Sequence, residues 1–414
     1  MDLYSDINAD YLNMFFDFNG FSGPLLLGFV QGIAYAGMLL WRGAKRSRLS
    51  DRLLALILIV CCLHVSHYML GFAGWFQAND VRTALMFYFP VHNLYLLGPL
   101  IWFYFRSLTN VEFQFGRRDL WHWLPGALYL LLYLAMFAYD KVYLQRILGE
   151  ELCDHHGIQG PFSSYIRYDI PELFEITYSI SIFVYLILTL RTYRRYRRYV
   201  LDNFSDTEGI EFTWLRNLLY LLLAGIILGW ALNFYGYLIA SVESFFVETW
   251  DSYLVISIMI YILSIVGYSA TQSLPALSFE AARPQSREET PAIEAAKVPN
   301  ELEEWKGRLL KLMQEERPYL EADLTLTNLA KRLHTNPSTL SKVINTGFAQ
   351  NFNDFVNSRR VEAVKAKLQG PDSERLTLLA IANDCGFNSK ATFNRAFRKF
   401  TGMSPREYLG ETKD

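Results

Sequence analysis

The 414-residue chain is poor in cysteine, in charge and in the short motifs that carry hydrolytic chemistry. Its cysteines are Cys61 and Cys62 in an apolar run, Cys153 in a loop and Cys385 near the C-terminus, with no partners at ligand spacing. That excludes a disulfide framework and a zinc ribbon. No HExxH, GxSxG or paired-Asp motif sits in an apolar segment, so an enzyme is not expected; an intramembrane hydrolase or transferase is the rival class. No cofactor is implied. The N-terminus lacks a basic stretch and carries Asp2, Asp6, Asp10 and Asp17 before the first apolar run, so a cleaved signal peptide is not expected either.

Charge is divided unevenly behind a formal net value of −2. Apolar segments crowd the first 270 residues, whereas from Leu324 onward fourteen Lys and Arg face eight Asp and Glu. A positive surplus there suits an anionic partner.

A bilayer core about 30 Å thick needs about 20 apolar residues in a helix. Seven stretches meet that length, at residues 22–41, 53–75, 84–105, 120–139, 171–190, 214–239 and 250–270. The loops between them alternate in charge. Thirteen Lys and Arg fall after the first, third and fifth stretches, among them Arg42, Arg106 and Arg191, against four on the other side: Arg82, Lys141, Arg146 and Arg167. Basic residues near helix ends stay on the cytoplasmic side, so the reading is an N-terminus outside and a C-terminus in the cytoplasm of a bacterium. The run "RTYRRYRRYV" at 191–200 fits this as an orientation signal, with Tyr at the headgroups and Arg reaching anionic lipid.

The expected organisation is an extracytoplasmic tail to residue 21, a seven-span domain over 22–270, a flexible linker over 271–300, an amphipathic helix over 301–317 and a soluble domain over 318–410. The fold class is all-α: a seven-helix transmembrane bundle followed by a double helix-turn-helix. The linker, with four prolines and no apolar period, cannot bury enough surface to offset its ordering entropy. Treated as a coil, it spans roughly 30 Å. In the amphipathic helix Leu302, Trp305, Leu309 and Leu312 form a short seam for packing on its own domain, with a homodimer contact as the alternative.

Within 318–410 the pattern helix, tight turn, helix occurs twice. In the first copy Leu326, Leu329, Ala330 and Leu333 line one face, "HTN" breaks the helix, and Pro337 opens the next with Leu340, Val343 and Ile344 inward. Its outward residues are Ser338, Ser341 and Lys342. A longer helix, "FNDFVNSRRVEAVKAKL", carries Arg359 and Arg360 among its polar positions. In the second copy Gly386 suits a left-handed stop and Asn388 or Ser389 a cap. Phe393, Phe397 and Phe400 then form an apolar stripe. Opposite it, at 100° per residue, lie Ala391, Asn394, Arg395 and Arg398, with Lys390 at the edge. Amide and guanidinium groups on that face match purine edges in the major groove, and phosphate equally.

Two such copies across one connecting helix resemble the DNA-binding domain of the AraC/XylS family of bacterial transcription regulators. The resemblance covers roughly residues 320–410 and is carried by Gly386-Phe387, Phe393, Arg395, Phe397, Phe400, Gly402, Pro405 and Tyr408. It implies two recognition helices in successive major grooves of double-stranded DNA, with Ser338, Ser341 and Lys342, and Lys390, Ala391, Asn394 and Arg395, facing bases. Leu409 stands where the family usually has Arg, and Ser338 is smaller than usual. Upstream, apolar spans replace the family's usual soluble sensor, an arrangement similar to AraC-like regulators fused to membrane domains.

Polar residues inside spans are candidate functional sites. His67, His92, Asn93, Glu175 and Asn233 share the outer third of four spans, with His67 and His92 roughly 10 Å below the surface at 1.5 Å per residue and His64 one turn deeper. They are candidates for a pocket that takes an unknown signal molecule, or for polar glue between helices. "CDHHG" at 153–157 is too short a cluster to expect a metal. The expectation is a membrane-embedded transcription regulator; a transporter with a regulatory tail, to be recognised by broken helices or inverted repeats, is the alternative.

Overall fold

The computed structural model describes residues 16–110, 113–152, 158–207, 210–239, 245–270, 298–370 and 375–411. The tail before residue 16, the 153–157 loop and the linker up to residue 297 lie outside the described residues. Among those described every regular element is helical, and the chain divides into two compact units, Met1–Arg191 with Trp214–Ser278, and Thr192–Thr213 with Phe279–Asp414.

The first unit contains α1 (Ser22–Lys45), α2 (Leu49–Phe72), α3 (Val81–Tyr88), α4 (Leu97–Thr109), α5 (Leu124–Phe137), most of α6 (Pro171–Asn203), α7 (Thr213–Ile239) and α8 (Phe245–Ala270). Five helices are long and apolar enough to cross a membrane: those at 22–45, 49–72, 117–148, 173–203 and 252–269. Their outer faces expose large apolar side chains, such as Leu128, Leu131 and Leu134 on α5 and Ile176, Ile180 and Val184 on α6. Two of the seven expected spans differ. The stretch at 214–239 lies within α7, whose described apolar part, Thr213–Ile227, is shorter. The stretch at 84–105 is not one helix. Pro90 lacks an N–H and excludes α geometry from the residue before it; Phe89 is extended at φ −87°, ψ 130°, and the helix resumes at Leu97 after one 3-10 turn.

Close approach of α1, α2 and α8 rests on a stripe of small residues, Gly28, Gly32 and Ala36. A Cβ on Gly32 would meet Cys62 of α2 and Ile260 of α8, and one on Gly28 would meet Ser257, at less than any real contact distance. Small residues at four-residue spacing let helix backbones approach where lipid offers no hydrophobic drive. Arg42 closes the basic end of the same three helices. Its guanidinium donates twice to the buried carboxylate of Asp51, at 2.8 and 2.9 Å, and once to the Tyr268 carbonyl at 3.0 Å. Gly32→Leu is expected to destabilise the detergent-solubilised chain by about 1–3 kcal/mol, the usual cost of overpacking, read as a lowered thermal midpoint.

The second unit is built on α12 (Phe352–Leu368), which serves two cores. Phe352, Phe355 and Val356 at its start join Leu309 and Met313 of α9 (Val298–Glu315), Leu326, Leu329 and Ala330 of α10 (Leu326–Arg332), and Leu340, Val343 and Ile344 of α11 (Pro337–Gly347). Val361, Val364 and Leu368 at its end join Ile381 and Ala382 of α13 (Leu378–Asp384) and Phe393, Ala396 and Phe397 of α14 (Lys390–Thr401), with Tyr408 of α15 (Pro405–Glu411) at the margin. The seam residues Leu302, Trp305 and Leu312 of α9 pack on the first core. "RTYRRYRRYV" is placed differently from expectation. Tyr193 and Tyr196 are buried, and their hydroxyls donate to the Glu211 and Ile210 carbonyls at 2.8 and 2.7 Å. Tyrosines three apart share a helix face, so these two hold the loop after α6 instead of meeting headgroups.

Candidate nucleic-acid interface

Two short helix pairs, α10 with α11 and α13 with α14, are set by local chemistry. Asn336 caps α11 by accepting the Thr339 N–H at 2.7 Å, ahead of Pro337, where a missing N–H costs nothing. Ser389 caps α14 by accepting the Thr392 N–H at 3.2 Å. Both turns use a left-handed residue, His334 at φ 53° and Gly386 at φ 89°. Gly386 is required twice over, because a Cβ there would lie 2.5 Å from the Tyr319 carbonyl oxygen and 2.9 Å from that of Leu320.

On α14 Thr392, Phe393, Ala396 and Phe397 are buried, Phe400 is half-buried, and Lys390, Ala391, Asn394, Arg395 and Arg398 are all exposed. The side chain of Arg395 is 58% exposed. Five adjacent outward positions, three of them cationic, are thus carried on a helix fixed from behind by phenylalanines. On α11 Ser338 and Lys342 are exposed, while Ser341 is half-buried and its hydroxyl accepts from Asn345 Nδ2 at 3.2 Å. Arg359 is half-buried, its guanidinium 5.6 Å from the centre of the Phe355 ring.

Arg360 does not belong to this surface. It is 1% exposed. Nε donates to the Tyr319 carbonyl at 2.7 Å and Nη2 to that of Glu321 at 2.7 Å; the Ala322 carbonyl, Asn357 Oδ1 and Ser205 Oγ complete its partners. The cause is helical phase. Val356, Arg360 and Val364 follow one another at i+4 on the core side of α12. Burial draws its pKa down to about 10, opposed by Asp206 and Asp323, so the group stays charged at neutral pH.

In the other unit, three of the candidate pocket residues converge. His64 Nδ1 and His92 Nδ1 lie 2.8 Å apart, and the His67 and His92 ring centres 4.4 Å apart. The Tyr253 ring lies 5.1 Å from His64 and stacks on Tyr68. His92 and Asn93 reach this place because the chain is broken at Pro90; Asn93 Nδ2 donates to the Gly126 carbonyl at 3.0 Å. The buried atoms His67 Nδ1 and Asn93 Oδ1 have no hydrogen-bond partner among the described residues. Glu175 is exposed, close enough to Tyr178 and Tyr253 to act on them electrostatically. The side chain of Asn233 lies outside the described residues. Among those described, no group of three His, Cys, Asp or Glu is arranged to hold a metal ion.

Sequence reasoning missed Asn388 as a contact residue and the loop after α6. Asn388 Nδ2 donates to Asp206 and Asp323 at 3.0 and 3.2 Å, and Arg395 meets Thr207 and Glu211. The acidic run "SDTEGIE" at 205–211 was the available signal.

Comparison with known proteins finds a family model that matches this region. The helix-turn-helix domain family matches residues 329–411. An uncharacterized HTH-type transcriptional regulator of Staphylococcus aureus (strain COL) is 34% identical over 93 residues, covering 22% of this chain and 12% of that protein. The uncharacterized HTH-type transcriptional regulator YijO of Escherichia coli (strain K12) is 34% identical over 106 residues, 25% of this chain and 36% of that protein. The chain therefore spans between about an eighth and a third of the length of these relatives. No solved structure matches. Residues 329–411 are thus a helix-turn-helix domain of the AraC type.

Proposed function

We propose that the chain is a membrane-embedded bacterial transcription regulator that binds promoter DNA through α11 and α14, its apolar helices serving as anchor and sensor. The observation that carries this reading is the exposed Lys390, Asn394, Arg395 and Arg398 face of α14, on a helix-turn-helix domain that shares a chain with five helices apolar enough to cross a membrane. Phosphate contacts from the cations position the domain, and Asn394 and Arg395 read bases. Loop charge supports an extracytoplasmic N-terminus and a C-terminal domain in the cytoplasm. Catalysis has no part in this function. Pairing of two chains would raise affinity through linked sites.

In this reading His64, His67, His92 and Asn93 would form the sensor. Its support is the convergence of three imidazoles with two buried polar atoms that have no hydrogen-bond partner among the described residues, at a break between helices. The same break favours the second reading, a transporter-like unit with a regulatory tail.

Genome-wide occupancy mapping of the intact, membrane-inserted chain tests the proposal, alongside a fluorescent-protein fusion at Asp414. Sequence-specific peaks, with the fused domain folded and fluorescent in the cytoplasm, are expected. A tail outside the cell, or occupancy without sequence preference, would overturn it.

A further inference from the structure

The loop after α6 belongs to the same compact unit as the helix-turn-helix domain, and it is anchored there by buried bonds. The Ser205 N–H donates to the Leu324 carbonyl at 3.2 Å, and the Ser205 carbonyl accepts from Asn353 Nδ2 at 2.8 Å. Ser205 Oγ accepts from Arg360 at 3.1 Å. Ser205 and Thr207 are fully buried. Beyond this anchor Thr207 and Glu211 both lie against Arg395 of α14. Arg395 Nη2 donates to Thr207 Oγ1 at 3.3 Å, Arg395 Nη1 lies 3.7 Å from Glu211 Oε2, and Thr207 Oγ1 donates to Glu211 Oε1 at 2.5 Å. Asp206 accepts from Asn388, the residue just before the α14 cap. Tyr193 and Tyr196 of α6 hold the far end of the loop by the Glu211 and Ile210 carbonyls.

We infer that Asp206, Thr207 and Glu211 form a resident anionic competitor for DNA, occupying on Arg395 and Asn388 the positions that phosphate and base acceptors would take. The inference rests on the reading of α14 as the DNA-facing helix. Three features argue for exchange in place of a permanent joint. The carboxylates of Asp206 and Glu211 are oxygen acceptors like those of DNA phosphates, Asp206 accepting from Asn388 and Glu211 lying 3.7 Å from the Arg395 guanidinium, a looser contact than a paired hydrogen bond. Arg395 keeps more than half of its side chain exposed, so its bonds to the loop are of the weak, solvent-screened kind. The Arg395–Glu211 contact borders a hollow of about 150 Å³, lined also by Arg197, Asp354, Lys399 and Phe400, so it is not sealed by close packing. The anchor at Ser205 keeps the competitor close, so it acts at high effective concentration. The loop continues directly from α6.

The test uses the full chain in lipid nanodiscs, a fluorescein-labelled random-sequence duplex pool read by anisotropy, and hydrogen exchange of the peptide covering residues 204–213. In the Asp206→Asn/Glu211→Gln double variant affinity is expected to rise roughly three- to tenfold. Removing two negative charges anywhere near the duplex would move affinity in that direction, so hydrogen exchange supplies the second readout. In the wild-type chain the Ser205 amide should stay protected by its anchor, whereas the Ile210 amide, which donates to the Thr207 carbonyl, should be protected without DNA and exchange faster at saturating duplex. Unchanged affinity, or an Ile210 amide that keeps its protection while duplex is bound, would overturn the competition and leave the DNA-binding reading intact. A chain that binds no duplex in either form would instead remove the reading on which the inference rests.

Discussion

Replacing Arg395 with alanine should lower affinity for a duplex taken from the chain's strongest chromosomal site by about ten- to a hundredfold, the cost of a lost bidentate base contact at 1–3 kcal/mol. The residue is singled out by geometry. It lies in the centre of the outward face of α14, flanked by Asn394 and Arg398, with Phe393 and Phe397 directly behind. Two measurements separate the ways in which it could act. If Arg395 reads a base, the loss is concentrated on the specific duplex, and Arg395→Lys fails to restore it because an ammonium lacks the planar fork. If it grips phosphate, random duplex loses as much, Lys restores most of the affinity, and the slope of log affinity against log salt becomes shallower by about one. No loss on either duplex would remove α14 as the recognition helix. The variant also strips the loop of its partner at Thr207 and Glu211, so the measured loss is a lower bound on the contact with DNA.

How much of this was legible in the sequence depended on the range of the interaction involved. Caps and stops are local, and they were readable: Pro337, Gly386 and Ser389 each act within a few residues of the turn they shape. The face of α14 was readable for the same reason, since its phenylalanines and its outward cations alternate with the helical period. Long apolar runs were legible as apolar but not as continuous helices. Pro90 breaks the stretch at 84–105, which the count of apolar residues alone passed over. What the sequence did not disclose were pairings across large separations. Arg42 counted only as a charge at a helix end, yet it grips Asp51 and Tyr268, and "RTYRRYRRYV" counted as a lipid anchor although its tyrosines hold a loop. The contact of Arg395 with Glu211 joins residues 184 positions apart, and no periodicity reports such a meeting.

Arg360 shows the same limit with the largest consequence for stability. Arg360→Met preserves much of the side chain's volume but leaves the Tyr319, Glu321 and Ala322 carbonyls without their donor. Buried acceptors that lose a charged donor cost the full desolvation of each group, and breaking a buried charged network from one side typically costs 3–5 kcal/mol. A loss of about that size is expected for the second unit, seen in the full chain as earlier thermal unfolding and faster proteolysis between residues 298 and 411. Arg360→Lys should recover only part, because one ammonium on a flexible stem cannot span carbonyls that the guanidinium reaches with Nε and Nη2 together. Gly386 ties this network to α14, since its backbone approaches the same Tyr319 carbonyl and the Arg360 Nε. Loss of Arg360 should therefore weaken DNA binding in step with stability and leave the salt slope of the remaining folded fraction unchanged. The opposite pattern, a stable domain with a shallower salt slope, would return Arg360 to the DNA surface that its sequence neighbours suggested.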